Sequence, residues 1–195
     1  MIVIGLTGGI ASGKSTIARM MARRGIVNID ADALVHALMK RPCIASDIGK
    51  FFPAAIKNNI IDRAALGVIV GKDKAALSRL ESILHPAVRN AELAALKQAL
   101  RQKRKAVILD IPLLFETGAQ SLCDLVITAT APLPMRRRRA FLRAQMSEEK
   151  WSRLIARQLD EAARNRLADI VIPTTLGKAF TRRHVELLLR ELRLT

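Results

Sequence analysis

The 195-residue chain is half hydrophobic and carries 33 Lys and Arg against 17 Asp and Glu, a formal net charge of +16. One domain with inserted lobes fits this length, and the charge points to an anionic partner: nucleic acid, a membrane surface or a phosphorylated small molecule. With no Tyr, one Trp and five Phe, the chain lacks the aromatic platforms on which single-stranded nucleic acid stacks, which disfavours that partner.

In chain order, Ile2 to Leu6 reads as a buried parallel strand entering a tight loop at Thr7, Gly8 and Gly9. The segment MIVIGLTGG has no basic leader, and its apolar run is too short for a secretory segment or a membrane span. Together with two widely separated cysteines, Cys43 and Cys123, that lack metal-ligand spacing, this predicts a soluble, cytoplasmic protein with reduced thiols and no structural zinc. A helix follows from Lys14, with Ile17, Met20 and Met21 on one face and Gly25 as its stop. Val27 to Ile29 is a second strand, and Asp30 and Asp32 lie just past its C-terminal end, where ligands gather in open parallel sheets.

From Asp32 to Lys105 the pattern is nearly all helical, with a break at Pro42 and a loop from Phe52 to Ile61. Asp62 is an N-cap for DRAALGVIV. A stripe of Leu77, Leu80 and Leu84 is interrupted at His85-Pro86 and resumes with Leu93, Leu96 and Leu100. AVILDI (106–111) and LVITATA (125–131) are the next strands. An Arg-rich helical stretch runs from Pro132 to Arg166, with Ser147 capping one of its helices, and a last strand, Ile170 to Ile172, leads to a closing helix with Val185, Leu188, Leu189 and Leu192 on its apolar face. Strands alternating with helices predict an α/β fold: a five-stranded parallel sheet with helices on both faces, an inserted helical lobe and an Arg-rich helical lid.

GGIASGKST, Gly8 to Thr16, satisfies G-x-x-x-x-G-K-[ST] between a strand and a helix. Glycines let successive N–H groups point at phosphate oxygens, Lys14 adds charge for the β and γ phosphates, and the Ser15 hydroxyl suits Mg²⁺. Gly9, Ala11, Ser12, Gly13, Lys14, Ser15 and Thr16 are therefore the expected ATP-binding residues. No NKxD-type guanine signature occurs, which leaves ATPases and small-molecule kinases.

Asp32 is positioned to accept a proton from an attacking hydroxyl, whereas Asp30 reads equally as a helix cap. Asp110 ends an apolar strand, as a Mg²⁺-holding acid does, or as a turn-capping Asp does. PLLFE (112–116) is either an acceptor pocket or core. Arg136 to Arg139 cannot all share one solvated helix face, so at least one points inward. Arg139 and Arg143, four apart, are suited to clasp donor phosphates, and Arg164 is a further nucleotide contact. His36 and His184 read as packing or surface residues.

TGGIASGKS (7–15), IDAD (29–32), DRAALGVIV followed by LHPAVR, DIPLLFE (110–116) and RAFLRAQMSEE (139–149) run in order over nearly the whole chain. In that combination the chain resembles the dephospho-coenzyme A kinase family. The resemblance implies a P-loop core (about 1–31, 106–131 and 167–195), an acceptor lobe (about 32–105) and a lid (about 132–166). It implies MgATP and dephospho-coenzyme A as ligands, with no obligatory protein partner and no membrane. It further implies Asp32 as base, with Lys14 and Arg139 also catalytic, and Arg143 and Arg164 at ATP. His85, Arg89, Pro112, Leu113 and Glu116 would face the acceptor beside Asp32, and Ser15 and Asp110 would serve the metal. Two departures stand out: VIPT at Val171 to Thr174 where relatives often read VIDN, and Val68-Ile69-Val70-Gly71 where VIVF is common. The rival readings are another P-loop small-molecule kinase and a basic nucleic-acid-binding ATPase.

Overall fold

The computed structural model describes residues 1–142 and 146–194. They form two compact units, one of Met1–Ile29 with Ala99–Thr195 and one of Asp30–Gln98. The first is built on a five-stranded parallel sheet in the order β2-β5-β1-β6-β7, from β1 (Ile2–Gly8), β2 (Val27–Asp30), β5 (Ala106–Asp110), β6 (Leu125–Thr130) and β7 (Ile170–Pro173). β5 is buried along its whole length, as expected of a strand covered on both faces. Leu6 is level with Asp110 on one side and Ile127 on the other, so the loop after β1 opens beside the end of β5.

At the opposite end of the strands, carboxylates complete the ladder. Asp124 accepts from Val3 N at 2.7 Å and Asp169 accepts from Val126 N at 2.7 Å, satisfying N–H groups at the start of β1 and β6 that would otherwise be left over. Helices α1 (Lys14–Ala22) and α9 (Gly177–Glu191) pack their apolar faces on the sheet. Ile4, Leu6, Ile17, Met21, Ile108, Ile127, Val185 and Leu189 meet in one core.

The second unit holds α2 (Ala31–Leu38), α3 (Pro42–Gly49), α4 (Arg63–Lys72) and most of α5 (Lys74–Arg101). Its own core gathers Ile44, Ile48, Phe52, Ile61, Leu66, Leu80 and Leu84. Asp62 caps α4 as the sequence predicts, accepting from Ala64 N and Ala65 N at 3.1 Å each. Three details differ from expectation. The stretch read as a loop contains a small hairpin, β3 (Ile56–Lys57) with β4 (Ile60–Ile61), turned by Asn58 and Asn59 in left-handed conformation. Pro86 does not end a helix; it lies inside the unbroken 28-residue α5, where the missing N–H is outweighed by burial of Leu80 and Leu84. Leu93 and Leu100 face solvent, while Glu92 and Ala99 occupy the buried side, so the leucine stripe of the second half is displaced.

The remaining helices of the first unit are α6 (Leu133–Phe141), α7 (Glu148–Ala156) and α8 (Glu161–Leu167). Ser147 caps α7 through Lys150 N at 3.2 Å, and Asp160 caps α8. No helix among the described residues is long and apolar enough to cross a membrane.

Candidate active site

The loop between β1 and α1 is shaped by two glycines for different reasons. Gly13, the residue before α1, has φ 101°, a conformation costly to any residue with a Cβ. A Cβ there would also lie 2.9 Å from Thr174 Cγ2. At Gly9 the cause is crowding: a Cβ would run into the Arg136 guanidinium and lie 2.9 Å from Arg164 Nη2. Between them, Ser12 N donates to Gly9 O at 2.9 Å, and Ile10 N donates to Gln158 Oε1 at 2.9 Å. Among the described residues no side chain caps α1; Thr16 N donates to Gly13 O at 2.9 Å, which leaves the Lys14 and Ser15 N–H groups to an anion.

Lys14 and Asp110 form an ion pair. Asp110 is buried, 4% exposed, at the end of β5, and the register that sets Leu6 beside it brings the two together. Among the described residues no three metal-ligating side chains cluster. One carboxylate and the Ser15 hydroxyl, both hard oxygen donors, fit a Mg²⁺ that draws its other ligands from phosphates and water. Thr7 Oγ1 donates to Pro112 O at 3.0 Å, tying the end of β1 to the PLLFE segment. Within that segment Leu114 is fully buried core, Leu113 is half-buried, and the exposed Glu116 accepts from Leu159 N at 2.7 Å.

The four arginines of α6 divide as helix geometry demands. Arg137 is exposed, paired with Glu148 and lying over the Phe141 ring at 4.8 Å, and Arg138 is also exposed. Arg139 donates from Nη1 to Thr174 Oγ1 at 2.9 Å and from Nη2 to Thr174 O at 2.7 Å. Thr174 in turn donates its proton to Ser12 O. In the VIPT segment, therefore, the hydroxyl of Thr174 links the phosphate loop to α6. Arg136, which the sequence did not single out, is the one that turns inward at 5% exposure. Ala140, one turn later and fully buried, marks the same stripe and was the available signal. Arg164 is 2% exposed, donates from Nη1 to Leu159 O at 3.1 Å, and has its pKa lowered by burial and by Arg136. Glu161 stands by this pair: Thr130 Oγ1 donates to one oxygen, and the other is 3.6 Å from Arg136 Nε. Arg143 falls outside the described residues. Ala11 of the loop packs with Ala140 and the buried Trp151 of α7.

In the second unit, Asp30 is the N-cap of α2, accepting from Ala33 N at 3.1 Å, and Asp32 follows in the first turn of the same helix. The exposed His85 and the half-buried Arg89 sit on α5, where Arg89 lies 3.5 Å from Glu92. Glu92 is buried, and its carboxyl is raised above the ordinary value by that burial, against the pull of Arg89 and His85. His36 is held by Arg63 at 2.9 Å, a surface pairing rather than a ligand set. Lys14, Ser15, Asp110, Arg139 and Arg164 thus share the first unit, and Asp32, His85 and Arg89 the second.

Residues 2–177 match a family model described as dephospho-CoA kinase. A dephospho-CoA kinase of Mesorhizobium japonicum is 42% identical, with 99% of this chain and 98% of that protein covered. A crystal structure from Thermus thermophilus shares the fold with a TM-score of 0.85 at 33% identity, covering 98% of this chain and 97% of the other. A dephospho-CoA kinase from Campylobacter jejuni has a TM-score of 0.65 at 28% identity, covering 97% and 96%.

Proposed function

The chain belongs to the dephospho-CoA kinase family, and from that premise we propose how its residues divide the transfer. The reaction moves the γ-phosphoryl of ATP to the ribose 3′-hydroxyl of dephospho-CoA, giving CoA and ADP. It completes coenzyme A. A new O–P bond forms at the 3′-oxygen as the bond to the β-phosphate bridging oxygen breaks, and the hydroxyl proton passes to the Asp32 carboxylate.

The observation that carries the donor half is the Lys14–Asp110 pair at the foot of an anion-accepting loop. Bound ATP draws Lys14 toward its β and γ phosphates. Ser15 and Asp110 would hold Mg²⁺, which supplies further neutralisation of the phosphate charge. The loop residues Gly9, Ala11, Ser12, Gly13 and Thr16 complete the seat. Arg139 spends two of five N–H groups on Thr174, and among the described residues three are left for the donor; Arg143 and Arg164 are assigned to ATP as well. His85, Arg89, Pro112, Leu113 and Glu116 hold the acceptor. In this reading the helical lobe (about 32–105) receives dephospho-CoA, the lid (about 132–166) excludes water from the donor, and residues about 1–31, 106–131 and 167–195 form the core. A reducing cytoplasm is part of the same reading, in which Cys43 and Cys123 stay as thiols.

The test is an ADP-release assay with MgATP and dephospho-CoA, with AMP, shikimate, gluconate and single-stranded DNA as alternatives and the product identified by mass. Phosphorylation of dephospho-CoA with removal of activity by Asp32→Asn supports the assignment. Turnover only with another acceptor refutes the roles given to the helical lobe.

A further inference from the structure

We infer that Arg136 is a further catalytic residue, forming with Arg164 a two-guanidinium seat for the phosphoryl group in transit at Gly9; this rests on the kinase reading above. Three observations carry it. The first is convergence. Arg136 comes from α6 and Arg164 from α8, yet both press on the same loop glycine, so closely that a Cβ at Gly9 would run into one guanidinium and crowd the other. The phosphate-binding loop has no side chain at the one place where two cations meet it.

The second is burial without a full set of partners. The two residues are 5% and 2% exposed, and among the described residues Nε of each lacks a hydrogen-bond partner. Buried guanidinium N–H groups are strongly disfavoured unless something accepts from them. The nearest acid to Arg136, Glu161, is 3.6 Å from Nε and already receives the Thr130 hydroxyl. Glu116 and Asp160 also act on Arg164; Glu116 accepts from Leu159 N, and Asp160 caps α8. The local charge is thus two cations against one close, shared carboxylate.

The third is chemical fit. Two planar donors aimed at one point match a tetrahedral group with several anionic oxygens. The loop amides and the start of α1 already serve the phosphates nearer the nucleoside. In the transfer, charge spreads over the equatorial oxygens of the moving group, where fixed cations act without reorganisation. A purely structural Arg136–Glu161 pair accounts for neither the approach of Arg164 nor the crowding at Gly9.

The test is Arg136→Gln, with Arg136→Lys as a second variant that keeps charge and loses the planar fork. Turnover with MgATP and dephospho-CoA is measured, together with calorimetric affinities for a non-hydrolysable ATP analogue and for ADP. Arg136→Gln should lower kcat about 10²- to 10³-fold, leave KM for dephospho-CoA within about twofold, and weaken the ATP analogue about tenfold more than ADP, with Arg136→Lys intermediate. Equal loss of analogue and ADP would overturn the assignment, as would kcat within about threefold of the parent or an effect confined to thermal stability. The ADP comparison needs no acceptor, so its outcome is separate from whether dephospho-CoA is the substrate.

Discussion

Replacing Thr174 by Val keeps the shape of the side chain and removes one oxygen, at a site only 6% exposed. That oxygen donates to Ser12 O in the phosphate loop and accepts from Arg139 Nη1 at 2.9 Å. The variant leaves a buried carbonyl without its donor, worth about 1–3 kcal/mol, and one guanidinium N–H without its acceptor. Two contacts survive: Arg139 Nη2 still reaches Thr174 O at 2.7 Å, and Thr174 N still donates to Thr130 O at 3.0 Å. The net loss should therefore be about 2 kcal/mol, a fall in melting temperature of roughly 4–8 °C for a chain of this size. Because the broken bond holds the loop, affinity for ADP should drop as well, by about three- to tenfold. Differential scanning calorimetry and ADP titration read both quantities, and Thr174→Ser, which keeps the hydroxyl, should recover most of each. A melting temperature for Thr174→Val within 1–2 °C of the parent, a loss well under about 1 kcal/mol, would show that Thr174 does not connect loop and helix.

Other changes probe the remaining parts. Asp32→Asn should lower kcat by about 10²- to 10⁴-fold with ATP affinity kept; near-normal turnover measured by ADP release removes Asp32 as the base. Gly13→Ala forces φ 101° on a residue with a Cβ and presses on Thr174, so denaturant unfolding should show a loss of about 1–3 kcal/mol. Glu92 is held above its ordinary pKa of 4.5 by burial, so its contribution to folding is present below that value and declines as pH rises through the raised one. The melting temperature of the parent minus that of Glu92→Gln should accordingly fall as pH rises above the ordinary carboxylate range. A difference that grows with pH contradicts the burial argument.

The strands and the loop were legible because their signals are local. Apolar runs such as AVILD read as strands buried on both faces, and a glycine-rich turn followed by Lys14 and Ser15 reads the same in any neighbourhood. Asp62 and Ser147 announced their helices through capping chemistry confined to three residues. What escaped depends on partners far along the chain. Thr174 and Ser12 are 162 positions apart, and nothing near either one foretells the bond. Helical periodicity required at least one arginine of four to turn inward, but which one rests on partners elsewhere in the chain, such as Arg164 and Glu161 beside Arg136. Pro86 was misread because a local rule against proline takes no account of the packing of Leu80 and Leu84 beside it. The Asn58-Asn59 turn is a weaker hairpin signal than Asn-Gly, since both of its left-handed positions carry a Cβ.

Trp151 is the chain's only Trp, and there is no Tyr. Buried at 7% exposure, it packs with Ala11 of the phosphate loop and Ala140 of α6, with the Phe141 ring 6.2 Å away. The protein thus carries a single indole, in contact with its nucleotide-binding loop. Excited at wavelengths that Phe does not absorb, its emission comes from that one contact, so its colour and quenching follow the loop and the helices over it in unlabelled, unmodified protein.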